Sequence, residues 1–181
     1  MKKNIVLIIL ACICFCACKH KSEDVITDAK KKAAGINSDL KSYKSKHVDD
    51  LTSTDPGSIT GYYKDDEVKK VYAEHFGQKS RTFTEYYFDD GMLICVQAQD
   101  YIYNKPNTYT EEEAKKNNDS IWYDDKKTKL ESSSFYFINN KMIKWFDAGK
   151  EIPVTDTNFT AMESETWARA LILMKELKEE Q

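Results

Sequence analysis

Residues 84–96 read TEYYFDDGMLICV, and residues 133–145 read SSFYFINNKMIKW. Each stretch consists of two runs of aromatic and aliphatic residues around a central Asp-Gly or Asn-Asn pair. Such pairs tolerate the positive φ angles that a two-residue hairpin turn requires, so each stretch is predicted to form a β-hairpin. The two stretches match at a fixed offset of 49 residues, and a looser third copy, TGYYKDDEVKKV, lies at residues 60–71.

Three successive hairpins predict an antiparallel meander sheet of about six strands over residues 59–150. Counting outward from the second turn places Phe88 opposite Leu93 on one face of the sheet and Tyr87 opposite Ile94 on the other. Both faces would then be apolar or aromatic, whereas a sheet with one solvated face alternates apolar with polar residues. We therefore expect that the sheet is either covered on both sides or displays aromatic residues to a partner.

Two amphipathic helices are predicted to flank this sheet. Before it, apolar residues recur at spacings of three and four, which predicts a helix over residues 25–46. After it, the sequence TAME at residues 160–163 reads as a capping box, and the apolar stripe that follows predicts a helix over residues 160–180. The chain is therefore predicted to fold as a single α+β domain over residues 25–181.

The first eighteen residues, MKKNIVLIILACICFCAC, have the layout of an export signal. Two lysines precede an uncharged apolar run of eleven residues. This run is too short to span a bilayer, which takes roughly 20 residues, but has the length of a signal-peptide core, roughly 7–15 residues. The sequence FCAC at residues 15–18 then resembles a lipobox. We predict a lipoprotein signal peptide at residues 1–17, lipidation of Cys18 and a lipidated tether over residues 18–24.

Other interpretations of this segment stay open. The sequence ILAC at residues 9–12 is a closer literal match to a lipobox, but cleavage there would leave an apolar, thiol-rich mature end. A plain secretory peptide and an uncleaved anchor are further alternatives. The chain becomes polar directly after Cys18, which favours cleavage at that residue. The prediction places the domain in the cell envelope on a lipid anchor, and the lack of an Asp directly after Cys18 favours the outer membrane over the inner one.

The cysteines and the charge exclude several classes of function. Four of the five cysteines lie in residues 12–18, so the apparent cysteine richness is not a redox or metal signature. Only Cys95 remains in the body, and its strand context predicts a buried apolar side chain rather than a nucleophile. Without residues 1–17, which carry two lysines and no acid, the formal charge moves from −3 to −5. An acidic chain with no basic patch argues against binding to nucleic acid.

No motif of a known catalytic class occurs in the chain, and its three histidines are dispersed without other ligands at metal-binding spacing. The Asp-Asp pairs at residues 65–66 and 89–90 fall at predicted turns, where the copy at residues 133–145 has Asn-Asn. Turn geometry therefore explains them better than calcium binding or a carboxylate pair. We expect no metal, no cofactor and no enzymatic activity, and a carboxylate-dependent hydrolase is the least favoured alternative.

The aromatic content is high, with eleven Tyr, eight Phe and three Trp, most of them in the hairpins. Core packing and cross-strand pairing explain such residues well. The alternative is an exposed aromatic face that binds an envelope protein, a peptide or a glycan, a type of surface that is uncommon in monomers. The candidate residues for such a face are Tyr86, Tyr87, Phe88, Phe135, Tyr136, Phe137 and Trp145.

Two further resemblances bear on location. The triplet Asp119-Ser120-Ile121 resembles the O-glycosylation acceptor of envelope proteins in some Gram-negative bacteria, which makes Ser120 a candidate modification site. The repeated hairpin, with the pattern YYF-x4-LI, resembles that of a group of small uncharacterised lipoproteins of the Gram-negative envelope. This second resemblance covers residues 59–150 and implies hairpin architecture and an envelope location, without a catalytic residue.

The function expected from these observations is a lipid-anchored, non-enzymatic binding or accessory module. Its partners are the membrane, through the lipid, and an unidentified envelope protein, peptide or glycan. The alternative is a structural or scaffold lipoprotein that associates with another envelope protein through its helices. An exposed aromatic patch on the sheet would favour the first function, and a sheet covered on both sides with apolar stripes on the helices would favour the second.

Overall fold

The computed structural model describes residues 23–50 and 56–179, so the predicted signal peptide and Cys18 lie outside it. In the described residues, eight strands form one antiparallel sheet whose order follows the chain. The α+β class and the antiparallel meander are thus confirmed, with two strands more than the predicted six. No helix within these ranges is long and apolar enough to cross a membrane.

Short connections join the strands, except for one long excursion between the fifth and the sixth. Helix α1 spans residues 23–38. The strands are β1 Lys44–Asp49, β2 Gly57–Lys64, β3 Glu67–Phe76, β4 Ser80–Asp89, β5 Met92–Ile102, β6 Lys129–Ile138, β7 Lys141–Asp147 and β8 Lys150–Ile152. The excursion contains the short helix α2, Glu111–Lys116, and the chain closes with the long helix α3, Phe159–Glu179.

Helix α1 ends earlier than the predicted boundary at residue 46. After residue 38 the chain makes a 3₁₀ turn at Leu40–Ser42 and enters β1, which pairs with β2. Leu40 and Tyr43 fit the helical spacing but lie after the end of α1. They pack against the same apolar cluster as α1 does. Pairing with β2 supplies a full ladder of backbone hydrogen bonds, and this tertiary interaction overrides the local periodicity.

The three predicted hairpin turns are confirmed. Both residues of each pair (Asp65-Asp66, Asp90-Gly91 and Asn139-Asn140) have positive φ, between 49° and 72°. A further turn of this kind, Ala148-Gly149, joins β7 to the short strand β8, which the sequence pattern did not predict. Alanine does not favour the positive φ that this turn requires, so the sequence pattern did not predict the last hairpin.

Each of these three hairpins also contains a bulge that shifts the predicted register by one residue. Phe88 lies opposite Leu93 as predicted, but Tyr87 lies opposite Cys95 because Ile94 is the extra residue. Equivalent shifts follow Tyr62 in β2 and Tyr136 in β6. The bulge therefore recurs with the repeat, and a bulge of this kind increases the local twist of a sheet.

Helices pack on both faces of the sheet. On the face that we call the α3 face, helix α3 covers an apolar core. Its buried members are Val48, Ile59, Val71, Ala73, Tyr86, Phe88, Leu93, Val96, Phe135, Phe137 and Met142 of the sheet, with Phe159, Ala170, Leu173 and Leu177. On the opposite face, the α1 face, Ile26, Ala29, Ala33 and Ile36 pack on Tyr87, Cys95 and Tyr136.

This packing corrects the predicted aromatic face. Six of its seven residues lie under the helices with at most 6 % of their surface exposed, namely Tyr86, Tyr87, Phe88, Phe135, Tyr136 and Phe137. The seventh, Trp145, is half-buried between Phe135 and Phe159. Near the hairpin turns a helix covers each face of the sheet, which is why both faces are apolar there. These rings therefore form the core and not an exposed surface.

Candidate functional site

Helix α1 crosses its face of the sheet near the hairpin turns and leaves the far half of that face open. The covered row of cross-strand neighbours is Lys70, Tyr87, Cys95 and Tyr136. Beyond it, three successive rows are at least partly exposed to solvent. They are Tyr72–Glu85–Gln97–Ser134, Glu74–Phe83–Gln99–Ser132 and Phe76–Arg81–Tyr101–Leu130.

These open rows contain a cavity of about 390 Å³, which we call the open cleft. Its lining residues are Tyr72, Phe83, Glu85, Gln97, Gln99 and Tyr101. The lining alternates aromatic rings with amide and carboxylate side chains, and its volume falls within the usual range of small-ligand sites, roughly 300–1,000 Å³. This cleft is the candidate functional site.

The aromatic rings of the open cleft form one connected group. The ring of Phe83 lies parallel to that of Tyr72, with centroids 6.3 Å apart, and meets Tyr101 edge-on at 5.6 Å. Phe76 meets Phe83 edge-on at 6.0 Å and is 46 % exposed. At the outer end, the Arg81 guanidinium lies 4.8 Å from the centroid of Tyr101. These contacts fix the positions of the rings relative to one another. The rings are also partly exposed, so a ligand can reach them.

At its inner end the cleft meets a polar cluster, the Lys70 network, formed by the buried Lys70 and Tyr87, the partly exposed Glu85 and the exposed Asn37. The Lys70 ammonium donates to Glu85 at 2.5 Å and to Asn37 at 2.7 Å. The Tyr87 hydroxyl donates to Glu85 at 2.6 Å and accepts from the Asn37 amide at 2.8 Å. Burial and the Glu85 carboxylate raise the pKa of Tyr87, which keeps this hydroxyl protonated as a donor. The network joins α1 to β3 and β4.

The other charged groups at the cleft also have partners within the protein. Glu74 accepts hydrogen bonds from the hydroxyls of Ser58 at 2.9 Å and Tyr72 at 3.3 Å. Burial, followed by the effect of Glu74, raises the pKa of Tyr72 to about 12, so this hydroxyl is neutral at physiological pH. Arg81 lies 3.7 Å from Asp125 of the excursion. Arg81 and Glu85 therefore have partners of opposite charge, whereas Glu74 keeps its negative charge and is held by two neutral hydroxyls.

A second polar cluster lies on the α3 face. The side chain of Asp50 is fully buried and binds His75 at 2.6 Å and Arg169 of α3. Arg169 also lies 3.2 Å from the same His75 nitrogen. These bonds connect the end of β1, the end of β3 and helix α3, so we assign the cluster a structural role. A groove beside it, between α3 and the central strands, holds adjoining cavities of about 240 and 430 Å³.

Cys95 lies fully buried beneath α1, between Tyr87 and Tyr136. Burial raises the pKa of its thiol to about 12, which leaves it protonated at pH 8. Because the thiolate is the reactive form, we expect iodoacetamide at pH 8 to leave Cys95 unmodified in the native protein and to modify it in guanidinium chloride. Mass spectrometry of the peptide that contains Cys95 measures both. Rapid modification of the native protein would contradict the burial of this thiol.

Ser120 is exposed in the excursion, just after α2. The neighbouring Asp119 accepts a hydrogen bond from the backbone N–H of Ile121 at 2.9 Å and binds Lys105 at 2.7 Å. The Lys105 ammonium also lowers the pKa of Asp119. O-glycosylation of Ser120 stays a prediction. Over the described ranges of the chain, no group of three or more His, Cys, Asp or Glu side chains is placed to hold a metal ion.

Sequence reasoning missed the residues of the open cleft because the hairpin repeat ends before them. The signal that indicates them is an alternation with a period of two in the outer parts of β4 and β5. Arg81, Phe83 and Glu85 alternate in this way on β4, and Gln97, Gln99 and Tyr101 do so on β5. These side chains point to one face of the sheet, and the mixture of rings and amides on that face differs from the apolar pattern near the turns.

Compared with protein-family models, curated proteins and solved structures, the chain has no match. The fold defines the class as an α+β domain in which an antiparallel meander sheet carries a helix on each face. The open cleft is the feature of this domain from which a function can be argued.

Proposed function

We propose that this protein is a lipid-anchored, non-enzymatic binding module of the cell envelope and that its ligand occupies the open cleft. The observation that supports this best is the connected set of rings of Phe76, Phe83 and Tyr101, left accessible beside the part of the sheet that α1 covers. Fully burying a side chain the size of Phe contributes roughly 1.5–3 kcal/mol. Phe76 is 46 % exposed and Phe83 and Tyr101 are partly exposed in the free protein, so these rings can gain part of this contribution on binding.

The proposed anchor would keep the cleft near a membrane. The described part of helix α1 starts at residue 23, five positions after Cys18. Five residues span at most roughly 18 Å even when fully extended. Since the cleft lies directly beside α1, a ligand bound there would be held close to the membrane surface. An outer-membrane location is part of this proposal.

A scaffold role is the second candidate, and one observation favours it. Leu171 and Ile172, adjacent on α3, are 44 % and 41 % exposed. Two neighbouring aliphatic side chains are a small apolar patch, because interaction sites on monomers commonly reach several hundred Å². The open cleft combines several partly exposed aromatic rings with amide and carboxylate groups, whereas this patch is aliphatic, so the binding module is the preferred function.

Photo-crosslinking in intact cells tests the proposal. The photoreactive residue p-benzoylphenylalanine, which inserts into C–H bonds of proteins and sugars alike, would replace Gln99 in the cleft, Leu171 on α3 or Lys44 on the exposed edge strand β1. We expect an adduct at position 99 of the full-length protein and none at position 44. An adduct at position 171 alone would replace the binding module with the scaffold role. No adduct at position 99, or equal yields at 99 and 44, would overturn the proposal.

A further inference from the structure

We infer that the open cleft recognises a neutral saccharide chain. This inference rests on the proposed function and names the chemical class of its ligand. Three observations support it: the order of side chains in the cleft, the pairing of Lys70 and Arg81 with carboxylates, and the position of the cleft in the middle of the sheet.

The order of side chains fits a ligand with alternating apolar and hydroxyl-bearing surfaces. Along one row Phe83 lies between Glu74 and Gln99, and along the next Gln97 lies between Glu85 and Ser134. A pyranose ring presents C–H groups on its flat faces and hydroxyls around its rim. Aromatic faces pack on the C–H groups, while amides and carboxylates bind the hydroxyls, since an amide both donates and accepts hydrogen bonds.

The charges of the cleft favour a neutral ligand. Glu85 is paired with Lys70, Arg81 lies near Asp125, and Glu74 accepts from two hydroxyls. An anionic ligand would therefore find no uncompensated cation among these groups. A cationic ligand would seek aromatic faces or the Glu74 carboxylate. Arg81 already lies against the ring of Tyr101, and the Glu74 oxygens already accept from Ser58 and Tyr72. Single-stranded nucleic acid, which also stacks on aromatic rings, requires a positively charged groove.

The position of the cleft disfavours a polypeptide ligand. Strands β3, β4, β5 and β6 each pair with a neighbour on both sides, so the cleft has no free edge to which a peptide strand could add. A docked amphipathic helix needs a continuous apolar groove. Here Glu74 and Gln99 flank Phe83 within its row and interrupt any such groove.

The dimensions of the surface suit a short chain of sugars. The open rows extend over four strands, roughly 14 Å across at the usual strand spacing, and over roughly 13 Å along the strands. This area exceeds that of a single sugar ring. We therefore expect several linked rings to bind together, with Phe83 and Tyr101 as the central stacking positions.

Binding of neutral tetrasaccharides to the full-length protein in detergent micelles tests the inference. The probes are maltotetraose, cellotetraose, xylotetraose and chitotetraose, with oligogalacturonate as the charged comparison and calorimetry as the measurement. We expect at least one neutral probe to bind. Phe83→Ala and Tyr101→Ala should each weaken that binding roughly tenfold or more, because each removes a ring that the bound saccharide would cover. The control Leu171→Ala, on the opposite face, should change it by about twofold at most.

Phe83→Leu provides a variant that keeps an apolar side chain at this position. If Phe83→Ala fails to fold, as judged by its melting temperature, a loss of saccharide binding in a folded Phe83→Leu variant supports stacking on the ring. Full binding by Phe83→Leu would overturn that role. Binding of oligogalacturonate alone would overturn the neutral class.

The crosslinking experiment separates this inference from the proposed function. A carbohydrate adduct at Gln99 supports the inference even if none of the four probes binds. A polypeptide adduct at Gln99, with no saccharide binding, overturns the saccharide and leaves the binding module in place. If no adduct forms at position 99 and no probe binds, both the inference and the proposed function are overturned.

Discussion

Replacing Glu85 with alanine is expected to lower the free energy of unfolding by about 3 kcal/mol, the lower end of the usual cost of breaking a buried ion pair, because Lys70 is buried but Glu85 is 28 % exposed. Lys70 has only 5 % of its side-chain surface exposed, and without Glu85 its ammonium would keep Asn37 as its hydrogen-bond partner in the network. Tyr87 would lose its acceptor at the same time. For a chain of this size, the loss corresponds to a drop in melting temperature of roughly 6–12 °C.

Denaturant unfolding followed by tryptophan fluorescence measures this loss in the full-length protein. The matched control is Lys44→Ala, which removes an exposed ion pair to Asp66 whose side chains are 83 % and 92 % exposed. Pairs of this kind contribute roughly 0–1 kcal/mol. The double variant Lys70→Met, Glu85→Gln removes both charges and should recover most of the stability. If Glu85→Ala costs no more than Lys44→Ala, the network does not stabilise the docking of α1.

Replacing Cys18 with alanine is expected to abolish the incorporation of a palmitate analogue, because Cys18 is the proposed site of lipid attachment. Metabolic labelling with an alkyne-bearing palmitate, followed by fluorescent detection, measures the incorporation. The variant should also lose its stable association with membranes, since anchoring of this kind depends on more than one acyl chain.

Cys12→Ala is the matched control, because residues 9–12 form the alternative lipobox. Labelling should be unchanged in this variant if cleavage precedes Cys18. Loss of labelling in Cys12→Ala with full labelling in Cys18→Ala would move the cleavage site to the earlier position. Labelling that persists in both variants would exclude a lipoprotein processed at either cysteine.

The hairpins were predictable from the sequence because the chemistry of a turn is local. Asp90-Gly91 and Asn139-Asn140 favour positive φ whatever surrounds them, and the alternating residues on either side follow from the turn. The bulge after Tyr87 was not predictable, because an extra residue in one strand leaves no trace in its composition. Strand β1 was missed for a related reason, since its pairing with β2 depends on residues distant from it in the chain.

The candidate site was also predictable only in part from the sequence. The aromatic residues of the repeat were visible in the sequence, but whether a ring is buried or accessible depends on where the helices lie. Helix α1 covers Tyr87 and Tyr136 and leaves Phe83 and Tyr101 open. The alternation in outer β4 and β5 indicates which side chains are polar, but the position of α1 is set by the bonds that dock it, above all those of Asn37 with Lys70 and Tyr87.

The sequence by itself determined the antiparallel meander, the positions of its three repeated turns and the presence of a helix at each end of the chain. These follow from residue periodicity and turn chemistry, which act over a few neighbouring positions. Only the tertiary structure decided that the two helices cover opposite faces and that one half of the α1 face remains open. The physical reason is that coverage depends on contacts between segments far apart in the chain. A helix that crosses the strands, roughly 10–12 Å wide with its side chains, covers only part of the length of strands of ten or eleven residues.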